Sequence, residues 1–288
     1  MTHSIVQIYC DANKSIGFGH ITRCIALYKY FNLCNLKTSI FGLSIEANNF
    51  LGDNAYENKN AEIFILDINY LIHDEFLFYL KKKSNKIITL DWFGKEVPHI
   101  NIVVFPHFEV KALNKNFIGF DYIIIRDEIL KTNNNKTNKD TALVCIGGGD
   151  ILSQSEAAAE ILIKKGYEVK IIKGPTSKVS KNNLYETLYK PKHFSKILAC
   201  SDLIVTNGGG TMFESIYLKK NTISIPQTEF EMNVANYAFN NRSIMGIGLE
   251  SLKSLNSSLL NNDITHSDFI DGNGVKRIFQ IVKSCLID

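Results

Sequence analysis

Short runs of β-branched and aromatic residues alternate with longer amphipathic stretches from one end of the chain to the other. The apolar runs at 5–10, 37–43, 62–66, 87–90, 102–105 and 122–125 are compact and nearly uninterrupted, the pattern of strands buried on both faces. Between them, helical spacing predicts helices near 20–31, 45–51 and 74–83. In the second half strands are expected at 143–146, 168–172, 203–205 and 222–225, with helices near 153–165, 180–189, 193–200, 212–218 and 233–240. Such alternation specifies an α/β fold in which helices cover parallel sheets. At the end of the chain Val275, Ile278, Phe279, Val282 and Leu286 share one helical face, which suits a helix docking back on the first domain.

One segment interrupts the alternation. Residues 131–141, KTNNNKTNKDT, contain no apolar side chain and collect turn formers and lysine, so they cannot pack and read as a linker. The linker predicts an N-terminal domain at 1–130 and a C-terminal domain at 142–288. Length agrees, since 288 residues at roughly 150 per domain give about two. Two similar α/β halves on a polar hinge are expected to face a central cleft, with ligands at the carboxyl ends of the strands. Candidate chemistry is therefore sought in the loops that follow strands.

Composition narrows the partners. With 45% hydrophobic and 21% charged residues the chain is neither disordered nor fibrous, and a net charge of +3 supplies no field suited to nucleic acid or an anionic membrane. A small-molecule partner is expected. The six cysteines lie in apolar stretches without a CxxC pair, which predicts reduced thiols rather than disulfides or zinc. No basic segment followed by an apolar run opens the sequence, and no stretch approaches the roughly 18 apolar residues of a membrane span. The expectation is a cytoplasmic protein without stable membrane insertion, for which a monomer is compatible.

Two loops carry the clearest chemistry. After the first strand, Gly17-Phe18-Gly19-His20 leads into a helix with Arg23 on the same face. The glycines allow close backbone approach, and the free N–H groups of the helix start suit a phosphate or sugar oxygen. A histidine at that positive end is disfavoured in its protonated form and can act as a general base. The competing reading makes the loop a plain turn, His20 a cap and Arg23 a solvated charge. In the other half Gly208-Gly209-Gly210-Thr211 joins a strand to a helix, offering backbone N–H groups and a hydroxyl to a diphosphate. Glu214 is placed to accept hydrogen bonds from ribose hydroxyls, or else merely complements the helix dipole.

Weaker signals come from Gly148, Gly149 and Gly174 at two further strand ends, from Asn233 after the last core strand, and from Asp67 and Asp91 near strand ends of the first half. The seven histidines show no metal-ligand spacing, and HExxH, GK[ST] and GxSxG motifs are absent. Neither a metal nor a cofactor is expected.

Taken in order, Gly17-x-Gly19-His20-x-x-Arg23, the phrase FDYIIIRDE at 120–128, Gly147-Gly148-Gly149-Asp150 and Gly208-Gly209-Gly210-Thr211-x-x-Glu214 resemble the PseG/SpsG-type UDP-sugar hydrolases. These belong to pseudaminic acid biosynthesis and are related to MurG-like GT-B glycosyltransferases. The resemblance covers nearly the whole chain and implies two Rossmann-like domains, with the nucleotide in the C-terminal one. It implies that His20 activates water to attack the anomeric carbon of a UDP-linked 2,4-diacetamido-2,4,6-trideoxyhexose, with inversion and release of UDP. Gly17, Gly19, Arg23, Asp67 and Asp91 fall on the sugar side. Gly148, Gly149, Gly174, Gly208 to Gly210, Thr211, Glu214 and Asn233 fall on the nucleotide side. Asp91-Trp92 and Met232-Asn233 depart from the Asp-Asp and Asn-Gln pairs frequent in the family, which leaves the sugar open and keeps transfer to an acceptor as the alternative to hydrolysis. A noncatalytic nucleotide-sugar binder is the third reading.

Overall fold

The compact apolar runs of the first half form strands because a segment buried on both faces gains from apolar side chains at every position. The computed structural model describes residues 5–13, 17–68, 70–84, 86–95, 98–104, 116–132, 137–146, 150, 152–173, 184–189, 191–255 and 270–287. Its contacts divide into two units, residues 1–126 with 272–288, and residues 127–271.

Unit 1 runs β1 (Val6–Cys10), α1 (Gly19–Leu33), β2 (Thr38–Gly42), α2 (Ile45–Leu51), β3 (Ile63–Asp67), α3 (Tyr70–Lys81), β4 (Ile87–Leu90), β5 (Ile100–Val103) and β6 (Asn116–Ile118). All six strands are parallel, in the order β2-β1-β3-β4-β5-β6. From β1 the chain crosses to one side of the sheet centre and from β3 to the other. Right-handed crossovers then place α1 and α3 on opposite faces, with a crevice between the carboxyl ends of β1 and β3. Side chains agree: Tyr9, Phe64 and Leu66 pack with Leu77 and Leu80 of α3, whereas Asp67, the next residue along β3, meets Arg23 and Cys24 of α1.

Unit 2 runs α4 (Asp127–Leu130), β7 (Asn138–Cys145), α5 (Gln154–Lys164), β8 (Glu168–Lys173), β9 (Glu186–Tyr189), α6 (Phe194–Cys200), β10 (Ser201–Thr206), α7 (Gly210–Tyr217), β11 (Asn221–Ser224), α8 (Glu229–Asn240), β12 (Gly246–Ile247) and α9 (Gly248–Lys253). Its parallel sheet has the order β12-β11-β10-β7-β8-β9. Numbered within the unit, that is the Rossmann order 3-2-1-4-5-6, with the crevice between β7 and β10. Unit 1 has the other doubly wound order, 2-1-3-4-5-6, so the two sheets are not copies of one topology.

The chain then returns to unit 1 as α10 (Gly274–Ser284). Val275, Ile278, Phe279 and Val282 are buried, and the Phe279 ring meets Tyr30 and Phe31 of α1 at centroid distances of 5.6 and 5.3 Å. A C-terminal domain drawn at 142–288 thus loses its last helix to the first unit. The polar segment at 131–141 is also shorter as a linker than its composition predicts, because β7 begins at Asn138, where the backbone pairs with β10 although the side chains stay exposed.

Three more expectations change. The run at 122–125 is not a strand: a short 3-10 helix occupies Phe120–Tyr122, and β6 lies earlier. Of the helix expected over 180–189, residues 180–183 lie outside the described residues, and 186–189 form an edge strand, β9, whose adjacent Thr187 and Leu188 are only half-buried. The helix expected at 233–240 starts at Glu229 because the Thr228 hydroxyl caps it, accepting from the Glu231 N–H at 3.2 Å. All six cysteines are free thiols, four of them buried. Among the described residues no helix is long and apolar enough to cross a membrane.

Candidate active site

Strand β1 ends at Cys10, whose partner across the ladder is Asp67, the last residue of β3. The chain leaves β1 through Asp11 and closes a turn in which the Gly17 N–H donates to the Asn13 carbonyl at 2.9 Å. Gly17 has φ +74°, which an L side chain rarely adopts, so glycine is required for the turn itself. That turn delivers Gly19 and His20 as the first residues of α1, with Phe18 as the cap residue.

His20 is therefore not the cap, and its ring turns to the sheet. Its Nδ1 lies 2.5 Å from Oδ1 of Asp67, which is fully buried, while the imidazole keeps 29% exposure. Arg23, one turn further along α1, is also buried. Its Nε and Nη2 donate to Asp67, the latter at 2.6 Å, and its Nη1 donates to Asp91 at 2.6 Å. The Cys24 thiol adds a 3.5 Å contact to the same carboxylate. Asp91, just beyond β4, adopts φ +49° and is held by its N–H to the Ile102 carbonyl at 2.9 Å.

The electrostatics follow from this packing. Burial alone would raise the Asp67 pKa, but the Arg23 guanidinium and then His20 outweigh it and hold the carboxyl far below the ordinary range. The same ion pairing outweighs desolvation of Arg23 and keeps it charged. A carboxylate without a proton can only accept, so Nδ1 of neutral His20 carries the hydrogen and Nε2 presents the lone pair. This is the geometry of an oriented general base.

The network alters two expectations. Arg23 is not a solvated charge, and neither it nor Asp67 is open to a sugar, because each is buried and turned toward the other. They position His20 instead. The excess of carboxylates around Arg23 also disfavours a phosphate here and favours a neutral hydrogen-bonding ligand.

In unit 2 the chain leaves β10 through Asn207 into Gly208, Gly209 and Gly210. A Cβ at Gly208 would lie 2.2 Å from the Glu231 backbone carbonyl, so Gly208 serves packing against the start of α8, a role the glycine run does not reveal. A Cβ at Gly210 would meet nothing within 4 Å. Helix α7 takes Gly209 as cap residue with no side-chain cap; the Met212 N–H turns back to the Gly209 carbonyl at 3.0 Å, and among the described residues no side chain caps the N–H groups of Gly210 and Thr211 ahead of it. At the neighbouring β7–α5 junction, by contrast, Asp150 accepts from the N–H groups of Gln154 and Ser155 at 2.7 and 3.1 Å. Thr211 is the second residue of α7 and half-buried, Glu214 is buried one turn further on, and Asn233 is half-buried on α8. Gly148, Gly149 and Gly174 lie outside the described residues.

Glu231 braces this loop and was not foreseen. Its carboxylate accepts from Asn207 Nδ2 at 2.5 Å and from the Gln227 N–H at 2.7 Å. Burial raises its pKa, and the hydrogen bonds from Gln227, Asn207 and Thr228 oppose the rise without cancelling it. Among the described residues no group of three or more His, Cys, Asp or Glu is placed to hold a metal ion.

No family model matches the chain. It is 23% identical to an uncharacterized protein of Methanocaldococcus jannaschii, over 78% of this chain and 56% of that one. It is 21% identical to a Helicobacter pylori protein named pseudaminic acid cytidylyltransferase and UDP-2,4-diacetamido-2,4,6-trideoxy-beta-L-altropyranose hydrolase, over 77% of this chain and 44% of that one. The chain thus spans about half the length of these curated relatives. Among solved structures, MurG of Acinetobacter baumannii superposes with a TM-score of 0.64 at 12% identity, covering 97% of this chain and 99% of that one. A Methanocaldococcus jannaschii UDP-GlcNAc 2-epimerase, solved with UDP-GlcNAc and UDP, gives 0.58 at 12% identity with the same coverages, 97% and 99%. The fold is that of MurG-like GT-B proteins: two α/β units with parallel sheets.

Proposed function

We propose that this chain is a nucleotide-sugar hydrolase that releases UDP from a UDP-linked 2,4-diacetamido-2,4,6-trideoxyhexose. The observation that carries the reading is His20, seated through Nδ1 on the buried Asp67 carboxylate 2.5 Å away and still partly exposed. In the proposed reaction Nε2 of His20 takes a proton from water as the water oxygen bonds to the anomeric carbon. The bond from that carbon to the diphosphate oxygen breaks, its electron pair leaves with UDP, and the configuration inverts. Arg23, Asp67 and Asp91 hold the imidazole in one tautomer and orientation. Unit 2 takes the nucleotide, with the uncapped first turn of α7 and Thr211 for the diphosphate and Glu214 for the ribose. The name of the Helicobacter pylori relative and the MurG-like fold support the assignment.

The test is a panel of UDP-sugars, including UDP-N-acetylglucosamine and the 2,4-diacetamido-2,4,6-trideoxyhexose conjugates, with UDP release followed in the absence of any acceptor. We expect at least one conjugate to be hydrolysed and His20→Asn to lower kcat by roughly 10²–10⁴-fold. Full activity in that variant would exclude His20 as the base. The likeness to MurG keeps transfer as the second reading; UDP release that occurs only when a hydroxyl acceptor is added would establish it.

A further inference from the structure

The crevice of unit 1 has two walls, and His20 stands on one of them. Asp67 points to the α1 face of the sheet, and so does Cys10, its partner across the ladder. Asp11 is one residue beyond Cys10, so strand alternation sends its side chain to the opposite face, where α3 begins. There its Oδ2 lies 3.1 Å from Nε2 of His73. Asp11 is 3% exposed, and its Oδ1 accepts the Ala12 N–H at 2.8 Å. Burial would raise its pKa, but the hydrogen bond from His73, with further ones from Ser44 and Ala12, outweighs burial and lowers it.

His73 repeats the construction of His20 from the other side. Its ring keeps 21% exposure while its carboxylate partner keeps 4%, and the backbone leaves helical geometry at this residue alone within α3, at φ −118° and ψ 21°. Asp11 is an acceptor, so the hydrogen of neutral His73 sits on Nε2 and the lone pair on Nδ1. The two histidines are thus anchored through opposite ring nitrogens at the ends of adjacent strands. The nearby cation, Arg23, is already neutralised by Asp67 and Asp91. What this crevice offers a ligand is oriented hydrogen-bond acceptors on a negatively biased floor, which suits hydroxyl and amide N–H donors and repels phosphate.

We infer that His73 is a substrate-binding residue for the glycosyl group: anchored on Asp11, it accepts through Nδ1 a hydrogen bond from a sugar hydroxyl or acetamido N–H, opposite the wall that carries His20. The inference rests on the hydrolase reading and adds to it the residue that grips the sugar rather than the nucleotide.

His73→Gln tests it, because the glutamine amide can keep the N–H donated to Asp11 while the acceptor at the Nδ1 position is lost. Imidazole 15N resonances of His20 and His73, assigned with His20→Asn and His73→Gln, are followed as the full chain is titrated with UDP and then with a nonhydrolysable phosphonate analogue of the UDP-diacetamido sugar. The expected result is a His73 Nδ1 shift with the analogue and none with UDP. In steady state His73→Gln raises KM for the hydrolysed conjugate about tenfold, leaves kcat within about twofold and inhibition by UDP unchanged, and unfolds at the same urea midpoint. An unchanged KM in His73→Gln, whatever the urea midpoint does, marks a pair that only staples α3 to the end of β1, and that outcome overturns the inference. So does a His73 resonance that stays fixed while His20 responds, with the hydrolase reading left standing. If no UDP-sugar is hydrolysed and neither histidine responds, the hydrolase reading fails and the inference falls with it.

Discussion

The two units place a crevice at the same topological position, where successive crossovers diverge, and fill it with opposite chemistry. Between β1 and β3 the loops supply His20, His73 and buried Asp11 and Asp67. At β10 they supply backbone N–H groups, glycines and the amides of Asn207 and Gln227 around Glu231. Asp67 is fully buried and Glu231 partly so, yet their pKa values move in opposite directions. Asp67 has a guanidinium beside it, whereas Glu231 has only neutral donors, so Coulomb attraction wins in one unit and desolvation in the other. One loop cluster orients histidine protons on buried carboxylates; in the other, under the proposed function, backbone N–H dipoles take the diphosphate.

Breaking the ion network should have the largest effect. Arg23→Met leaves Asp67 and Asp91 buried without their shared cation, a change that costs about 3–5 kcal/mol. Urea unfolding of unit 1, followed by the fluorescence of buried Trp92, is expected to show that loss together with loss of turnover. A loss below about 1 kcal/mol would mean that the network contributes little orientation. The acid limb sharpens the point. Because the folded pKa of Asp67 is depressed, its contribution is whole above about pH 4, near the unfolded carboxyl value, and is lost as pH falls toward the folded value. Asp67→Asn should flatten that limb.

In unit 2 the next effect is steric. Gly208→Ala brings a Cβ to 2.2 Å from a backbone carbonyl, which cannot rotate away as a side chain could. Displacing the first turn of α8 should cost roughly 1–3 kcal/mol, read as a lower urea midpoint for unit 2.

Glu231 gives the pH effect of opposite sign. Its folded pKa is raised, so its contribution is whole below the unfolded carboxyl value of about 4.3 and is lost as pH rises through the folded value. Glu231→Gln should remove that decline. At pH 7 it should change stability by less than about 1 kcal/mol, since the Asn207 amide can turn to offer its oxygen. A loss of about 3 kcal/mol or more at pH 7 would show that the negative charge itself holds the loop.

Much of this contrast was legible in the chain. The runs ending in YCD, ILD and TLD put Asp11, Asp67 and Asp91 at the ends of three inner strands of one sheet, and Gly208 to Gly210 fall at a strand–helix junction. Local pattern carries that much because burial on both faces needs uninterrupted apolar residues and a tight junction needs glycine. Which carboxylate meets which histidine was not legible. The His20–Asp67 bond spans 47 residues and the His73–Asp11 bond 62, and both depend on the β1–β3 register and on side-chain parity at its end. Glu231 was hidden for a different reason: an acidic residue in the first turn of a helix reads as a dipole partner, and only the hydrogen bonds its carboxylate accepts from Asn207 and Gln227 show it bracing another loop.

The smallest structural perturbation gives the finest test of the comparison. Gly210 is the first residue of α7, lacks a positive φ, and would place a Cβ in open space. Alanine there should leave the urea midpoint of unit 2 unchanged within about 0.5 kcal/mol, because surface substitutions without a steric or conformational conflict stay in that range. If the uncapped first turn holds the diphosphate, the same methyl group intrudes on the approach of its oxygens, and UDP affinity by calorimetry should fall about tenfold, or ~1.4 kcal/mol. Stability and affinity then separate at a single residue, as they cannot at Gly208, where the backbone clash disturbs both. Unchanged affinity in Gly210→Ala would remove α7 from the anion site and leave the glycine run with a packing role alone.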